Sequence, residues 1–362
     1  MSTRCCGWIY VLCFSLVSGL AQQNGRAGQS EPPASVPPGS ANHRMTLDVV
    51  VTDKSGRPLP GLQQQDFTLL DNKQPQKIMS FHAVEGGTAT ADPPVEVILV
   101  VDNVNASVSQ VAFERDQIER FLRRNGGQLA RPVSTAVFSD SGIVIGDTSS
   151  RDGNAVIADL SQKKTGLHSM VRSQGFYGAY ERLQLSLHSL DQLAANEVTK
   201  PGRKLVVWIS PGWPLLNAAE TVQTTKQQEE IFNYLVAFSD RLRKAGITLY
   251  AVDPLGAEDA AGLRTSEYKL FLKPVKKAGQ AQFGNLALQV LASQSGGRVF
   301  NSNNDVMGEI EACVADSNSF YVLSFDGLPG DGPNEYHALD IRIDKPGLTA
   351  RTRTGYYAQP DH

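Results

Sequence analysis

Polar side chains able to do chemistry concentrate in one short stretch, Val101-Asp102-Asn103-Val104-Asn105-Ala106-Ser107, directly after an apolar run. A carboxylate and a hydroxyl at this spacing suit three tasks: acid–base and nucleophilic work, hard oxygen ligation of a divalent cation, or capping of a following helix and its approach turn. Capping requires only that Asp102 or Asn105 accept the N–H groups opening a helix expected over residues 110–122, so capping and ligand contact both stay open. Ser210 and Gln174 join this set as polar residues beside the same strand ends. Trp213, in Pro211-Gly212-Trp213-Pro214, is an aromatic at a strand's carboxyl end, placed either to anchor a partner or to pack beneath its own loop. Trp208 and Trp213 are both expected to be exposed.

The spacings that mark common enzymes do not occur: G-x-S-x-G, H-E-x-x-H, G-x-x-x-x-G-K-[ST], G-x-G-x-x-G and C-x-x-C are all missing. Six histidines are scattered, and His188 falls on the polar face of its helix, where solvation is the plainer expectation. The chain is therefore read as non-catalytic, with no cofactor and no metal. With 34 Lys and Arg against 37 Asp and Glu, the formal charge is −3. That balance lacks the long-range attraction needed to gather on nucleic acid or anionic lipid, and leaves at most a local basic patch. Lys269, Lys273, Lys276 and Lys277, in a long segment over residues 254–282, are diluted by Glu258, Asp259 and Glu267 and read as a solvated face.

The amino terminus supplies an address. Residues 1–21 hold one cation, Arg4, then an apolar stretch diluted by Cys5, Cys6, Gly7, Ser15, Ser18 and Gly19, and end in Gly19-Leu20-Ala21. Small residues at these positions before Gln22 fit a secretory signal peptide rather than a spanning helix. Export to the periplasm or beyond is expected, with no membrane span after cleavage. Three of the four cysteines fall in this leader, so an internal disulfide is impossible in the exported chain. Cys313 shares a helical face with Val306, Ile310 and Val314, which predicts a buried apolar thiol. Residues 22–42, rich in Gln, Gly, Ser and Pro, lack the apolar surface needed to offset ordering entropy and read as a linker.

Beyond this point the elements that must position the candidate residues come into view. Leu47, Val49 and Val51 alternate with polar neighbours, and strand patterns recur near residues 66–70 and 78–84, giving an N-terminal β module over 43–93. The run Val95-Glu96-Val97-Ile98-Leu99-Val100-Val101 predicts a strand covered on both faces. Similar runs at 205–210, 247–252, 298–300 and 320–325 alternate with helical spacings such as Val111, Ile118, Leu122 and Ile231, Leu235, Phe238, Leu242. Residues 133–138 and 142–146 read as a hairpin placing one antiparallel strand at the sheet edge. The fold class is α/β over 94–326, a doubly wound, mostly parallel open sheet of the Rossmann-like type. A small all-β module completes it, its C-terminal segment, 327–362, packing on the N-terminal strands because isolated hairpins are marginal.

The loop after Val101 resembles the D-x-S-x-S metal-site loop of von Willebrand factor A-type domains. The whole chain is similar to a family of exported bacterial proteins carrying such a domain. The match runs through Val51-Thr52-Asp53-Lys54-Ser55-Gly56-Arg57-Pro58-Leu59-Pro60-Gly61-Leu62, Ile209-Ser210-Pro211-Gly212, Ser295-Gly296-Gly297-Arg298, Tyr321-Val322-Leu323-Ser324 and Gly355-Tyr356-Tyr357. The resemblance implies five metal ligands, of which Asp102 alone is present; Val104, Ala106, Gln174 and Pro211 stand at the other four. It thus implies a degenerate metal site in an adhesion-type protein-interaction module, whose partner is an unknown protein or envelope component and whose contacts fall among Asp102, Asn105, Ser107, Gln174, Ser210 and Trp213. The alternatives are a secreted hydrolase near Asp102 and Ser107, or a structural component of the envelope.

Overall fold

The computed structural model describes residues 43–86, 94–146, 149–163, 175–216, 223–256 and 266–361. The expected leader and linker, and Gln174, lie outside the described residues. Fifteen strands occur among them: β1 (Arg44–Thr52), β2 (Phe67–Asp71), β3 (Gln74–Gln76), β4 (Ser80–Glu85), β5 (Val95–Asp102), β6 (Gln128–Ser139), β7 (Gly142–Ile145), β8 (Ser150–Asp152), β9 (Arg203–Ile209), β10 (Ile247–Val252), β11 (Val299–Phe300), β12 (Ser319–Asp326), β13 (Glu335–Ile343), β14 (Thr349–Arg351) and β15 (Gly355–Ala358). The α-helices are α1 (Val108–Arg123), α2 (Gly153–Gln162), α3 (Phe176–Glu197), α4 (Thr225–Lys244), α5 (Leu288–Gln294) and α6 (Val306–Ala315). None is long and apolar enough to cross a membrane.

The class is α/β. A seven-stranded sheet runs β11-β10-β9-β5-β6-β7, with β8 also pairing β6. Its first five strands are parallel, and β7 and β8 lie antiparallel to β6, so the edge carries two antiparallel strands rather than one. Alternation along β5 explains the helices on both faces. Ile98 and Val100 pack with α3 and α4, while Val97, Leu99 and Val101 pack with α1, α2 and α6. Chain order reverses between β5 and β9, which places a crevice at the carboxyl ends of these neighbours.

Two four-stranded antiparallel sheets, β14-β1-β12-β4 and β15-β13-β2-β3, join strands from both ends of the chain. Leu339 pairs with Asp71 and Ile343 with Phe67, and Leu47 faces Leu323. Residues 320–325, expected in the parallel sheet, belong instead to β12. The physical reason is that β12 is a shared wall. Phe320 and Val322 face the core of the parallel sheet, whereas Tyr321, Leu323 and Phe325 face the antiparallel core. Burial on both sides produces the same apolar run that a central parallel strand shows.

Candidate functional site

At the carboxyl end of β5 the chain turns sharply, and Asp102, fully buried, holds the turn. Its Oδ1 accepts the backbone N–H of Val104 at 2.9 Å and of Asn105 at 2.8 Å. Its Oδ2 accepts Asn105 Nδ2 at 2.9 Å and the indole Nε1 of Trp208 at 3.0 Å. Four donors fill the lone pairs of one carboxylate. Asn105 extends the knot by donating to Ser186 Oγ of α3 at 3.0 Å. Ser107 is the N-cap of α1: its Oγ accepts Gln110 N at 3.4 Å, and its own N–H donates to Gln110 Oε1 at 2.6 Å, the two halves of a capping box. Asp102 thus ties the approach turn and Ser107, not Asp102 or Asn105, caps α1, while the Asn103 side chain and Asn105 Oδ1 are buried without a hydrogen-bond partner among the described residues.

The remaining candidates are placed differently from expectation. Trp208 and Trp213 are buried, at 0% and 3% exposure, a correction of their expected exposure. They pack edge to face with centroids 5.2 Å apart, and Phe138 meets Trp208 the same way at 5.6 Å. This aromatic column lies beneath the Asp102 turn, and Asp102 satisfies the Trp208 N–H that burial would otherwise leave without a partner. Ser210 is buried at 1% and accepts Gly212 N at 3.1 Å. Asp102, Asn105, Trp208 and Ser186 are therefore brought together, with Trp213 packed against Trp208; Ser107 and Ser210 each serve their own segment. His188 is exposed, and Cys313 is fully buried, its thiol pushed well up by burial.

A divalent cation does not fit this donor set. Val104 and Ala106, where hydroxyl ligands would stand, are each 3% exposed and belong to the apolar cores on opposite faces of the sheet. The Asp102 carboxylate is already saturated, and a hard cation needs several free oxygens in near-octahedral array. Among the described residues no group of three His, Cys, Asp or Glu side chains is arranged to hold a metal ion.

Two buried carboxyl groups, Glu114 near the Asp102 turn and Glu309 near Asp253, belong to no sequence motif. Glu114, in α1, is fully buried; burial, then the charges of Asp102 and Asp253, push its carboxyl well above the usual range. Glu309, in α6, is 4% exposed with both oxygens unpartnered, and burial, then Asp305 and Asp253, push it to about 8. Their only sequence signal is position: Glu114 stands three residues after Val111, and Glu309 beside Ile310, on faces otherwise apolar. The unfolded chain ionises both near the ordinary 4.5. Between about pH 4.5 and 8 the folded chain therefore holds more protons, so stability falls as pH rises through this window. Each proton contributes a slope of up to about 1.4 kcal/mol per pH unit. Melting midpoints of the wild type and Glu309→Gln between pH 5 and 8 should diverge, the variant losing less on the alkaline side; parallel curves would refute the assignment.

A second buried cluster lies in the antiparallel layer. His337 Nδ1 donates to Asp71 Oδ1 at 2.9 Å, and the Tyr356 hydroxyl donates to Asp71 Oδ2 at 2.6 Å. No serine or cysteine hydrogen-bonds the other ring nitrogen, Nε2, which is buried without a partner. The group staples β2, β13 and β15 together rather than composing a triad.

No family model matches the chain, and no curated protein does. Among solved structures it is similar to the human COPII-coat protein Sec24c, at 8% identity and TM-score 0.31, over 78% of this chain and 46% of that one. It is also similar to the pilus adhesin SpaC from Lactobacillus rhamnosus GG, at 11% identity and TM-score 0.35, over 83% of this chain and 43% of that one. The match thus spans less than half the length of either protein.

Proposed function

We propose that the chain is an exported, non-catalytic protein-interaction module whose α/β domain is of the von Willebrand factor A type, with a metal-site loop turned to a structural use. The observation that carries this reading is the Asp102 carboxylate, bound by four internal donors at the crevice where open α/β sheets place their ligands. So held, Asp102 itself is neither a free base nor an open cation ligand. A hydrolase at Asp102 and Ser107 is less well supported, because the Ser107 hydroxyl is occupied as a helix cap. Export rests on residues 1–21, and the partner is a protein or envelope component.

What the carboxyl edge offers a partner is apolar surface. Val108 opens α1 and is 56% exposed; Tyr177, at the start of α3, is 84% exposed. Both helices begin at this edge, since α1 follows β5 directly and α3 ends just before the amino end of β9. Capture from envelope extract by the tagged protein, read by mass spectrometry, should return one reproducible partner. The double variant Val108→Asp, Tyr177→Asp should lose it while its melting midpoint stays unchanged. Turnover of an ester or peptide panel that disappears in Ser107→Ala would favour the hydrolase instead.

A further inference from the structure

At the opposite edge of the central sheet, the amino ends of β9 and β10 meet β1 and the residues linking β14 to β15. Two confluent cavities of about 270 and 480 Å³ open there, sharing Thr46, Gly202, Arg243 and Gly246. The inner one is lined by the arginines Arg203, Arg243 and Arg353 and by one carboxylate, Asp48. The outer one adds Arg44, Lys200, Lys204 and Lys244 and no acid. In a chain of formal charge −3 this concentration of cations is local.

Four acids offset part of the charge of its seven cations. Arg44 pairs with Asp326, Lys200 with Glu197, and Arg243 and Lys244 share Asp240. Arg203 reaches Asp48 only at 3.5 Å. Arg353 and Lys204 form no ion pair among the described residues. The Arg203 side chain is 2% exposed: its Nη1 donates to the Asp316 carbonyl at 3.0 Å and its guanidinium lies over the Phe320 ring, while its Nε–H, 3.5 Å from Asp48 Oδ2, makes no hydrogen bond, and the Thr352 hydroxyl in the same cavity is buried without one. Donors kept out of water without acceptors are costly, and a ligand oxyanion relieves that cost.

Glycines allow close backbone packing beside the cleft. Gly202 and Gly246 have φ of +88° and +65°, and a Cβ on Gly202 would lie 2.1 Å from the Pro94 carbonyl oxygen. The backbone entering β9 therefore packs closely on Pro94, and Arg203 and Lys204 beside it are buried. Burial, then the like charge of Arg243, lowers the Arg353 guanidinium to about 10, and burial lowers the Lys204 ammonium. The Arg353 guanidinium stays cationic at neutral pH. Burial raises the Asp48 carboxyl, against the lowering pull of Arg203 and Arg353.

We propose that this cleft binds a small ligand carrying two phosphate-type oxyanions. Arg353, which has no ion pair among the described residues, the unbonded Nε–H of Arg203 and the Thr352 hydroxyl would hold one tetrahedral oxyanion in the inner cavity, with Arg243 exchanging Asp240 for it, and the ammonium groups of Lys200, Lys204 and Lys244 would take the second in the outer one. The same chemistry is offered by a soluble phosphate ester or by an anionic lipid headgroup.

Calorimetric titration of the full chain with inorganic pyrophosphate at low ionic strength distinguishes the cases. Pyrophosphate should bind at least tenfold more tightly than inorganic phosphate. Arg353→Gln and Arg243→Gln should each weaken it at least tenfold, Arg353→Lys should retain part of the affinity, and Lys226→Gln, an exposed charge elsewhere on α4, should change nothing. Circular dichroism checks that the variants fold. In parallel, co-sedimentation with phosphatidylglycerol vesicles that is lost in Arg353→Gln would identify a lipid headgroup as the source of the oxyanion. Failure of both pyrophosphate and vesicles to bind, or binding equal in wild type and all folded variants, would overturn the proposal. Neither result bears on partner capture at the carboxyl edge.

Discussion

A chain ending at Asp326 should lose the antiparallel layer and with it most of its stability. Deleting residues 327–362 removes β13 from β2 and β14 from β1. It strips Leu339, Ile341, Tyr356 and Ala358 from a core that includes Leu47, Leu69 and Phe325. Burial of each large apolar side chain contributes about 1.5–3 kcal/mol, so the three largest alone amount to a substantial part of the 5–15 kcal/mol that holds a typical domain folded. The deletion also leaves Asp71 buried without His337 and Tyr356, and Asp316 without the Arg351 ion pair. Neither loss can be absorbed at once. Asp71 either ionises in an apolar setting or opens its strand to water, and fraying of β2 follows. Hydrogen exchange at residues 67–71 and 47–51 should rise by orders of magnitude in the shortened chain. Unchanged protection there would show that the C-terminal strands are dispensable.

The contrast between legible and hidden features follows from the range of the forces involved. Helix faces such as Ile231, Leu235, Phe238 and Leu242 were readable because periodic burial is written locally; all four are buried as the spacing requires. The run at 95–101 was readable for the same reason. Residues 320–325 were not, since an apolar run records that both faces are covered and says nothing about what covers them. Trp208 was misread because its polar atom is satisfied by Asp102, 106 positions away, and no local pattern encodes such a pair. Near its end the C-terminal segment breaks into β14 and β15, and residues 352–354 between them leave Arg353 in the cationic cleft. The members of that cleft come from β1, β9, α4 and the tail, so the spacing of charges along the chain could not show it.

Asp102→Ala should destabilise the fold by about 3–5 kcal/mol, a loss at the upper end of single substitutions. Four donors lose their acceptor together, and they differ in what can replace it. The N–H groups of Val104 and Asn105 sit in a turn whose Asn105 is only half-buried, so water can reach part of it. The Trp208 indole cannot be rescued, because its side chain is fully buried between Phe138 and Trp213. An orphaned buried donor costs about 1–3 kcal/mol, and release of Asn105 from the turn also loosens its bond to Ser186 on α3. Asp102→Asn separates the parts. Its oxygen can still serve the two backbone donors, but its amide then meets Asn105 Nδ2 and Trp208 Nε1, donor against donor, so it should recover no more than about half the loss. Urea unfolding of the three proteins measures these differences. Because the carboxylate is saturated from within, EDTA and millimolar Mg²⁺, Mn²⁺ or Ca²⁺ should leave the wild-type midpoint in place. A metal-dependent rise that vanishes in Asp102→Ala would show instead that the turn opens to a cation, and would return this loop to the adhesion-type metal sites it resembles in sequence.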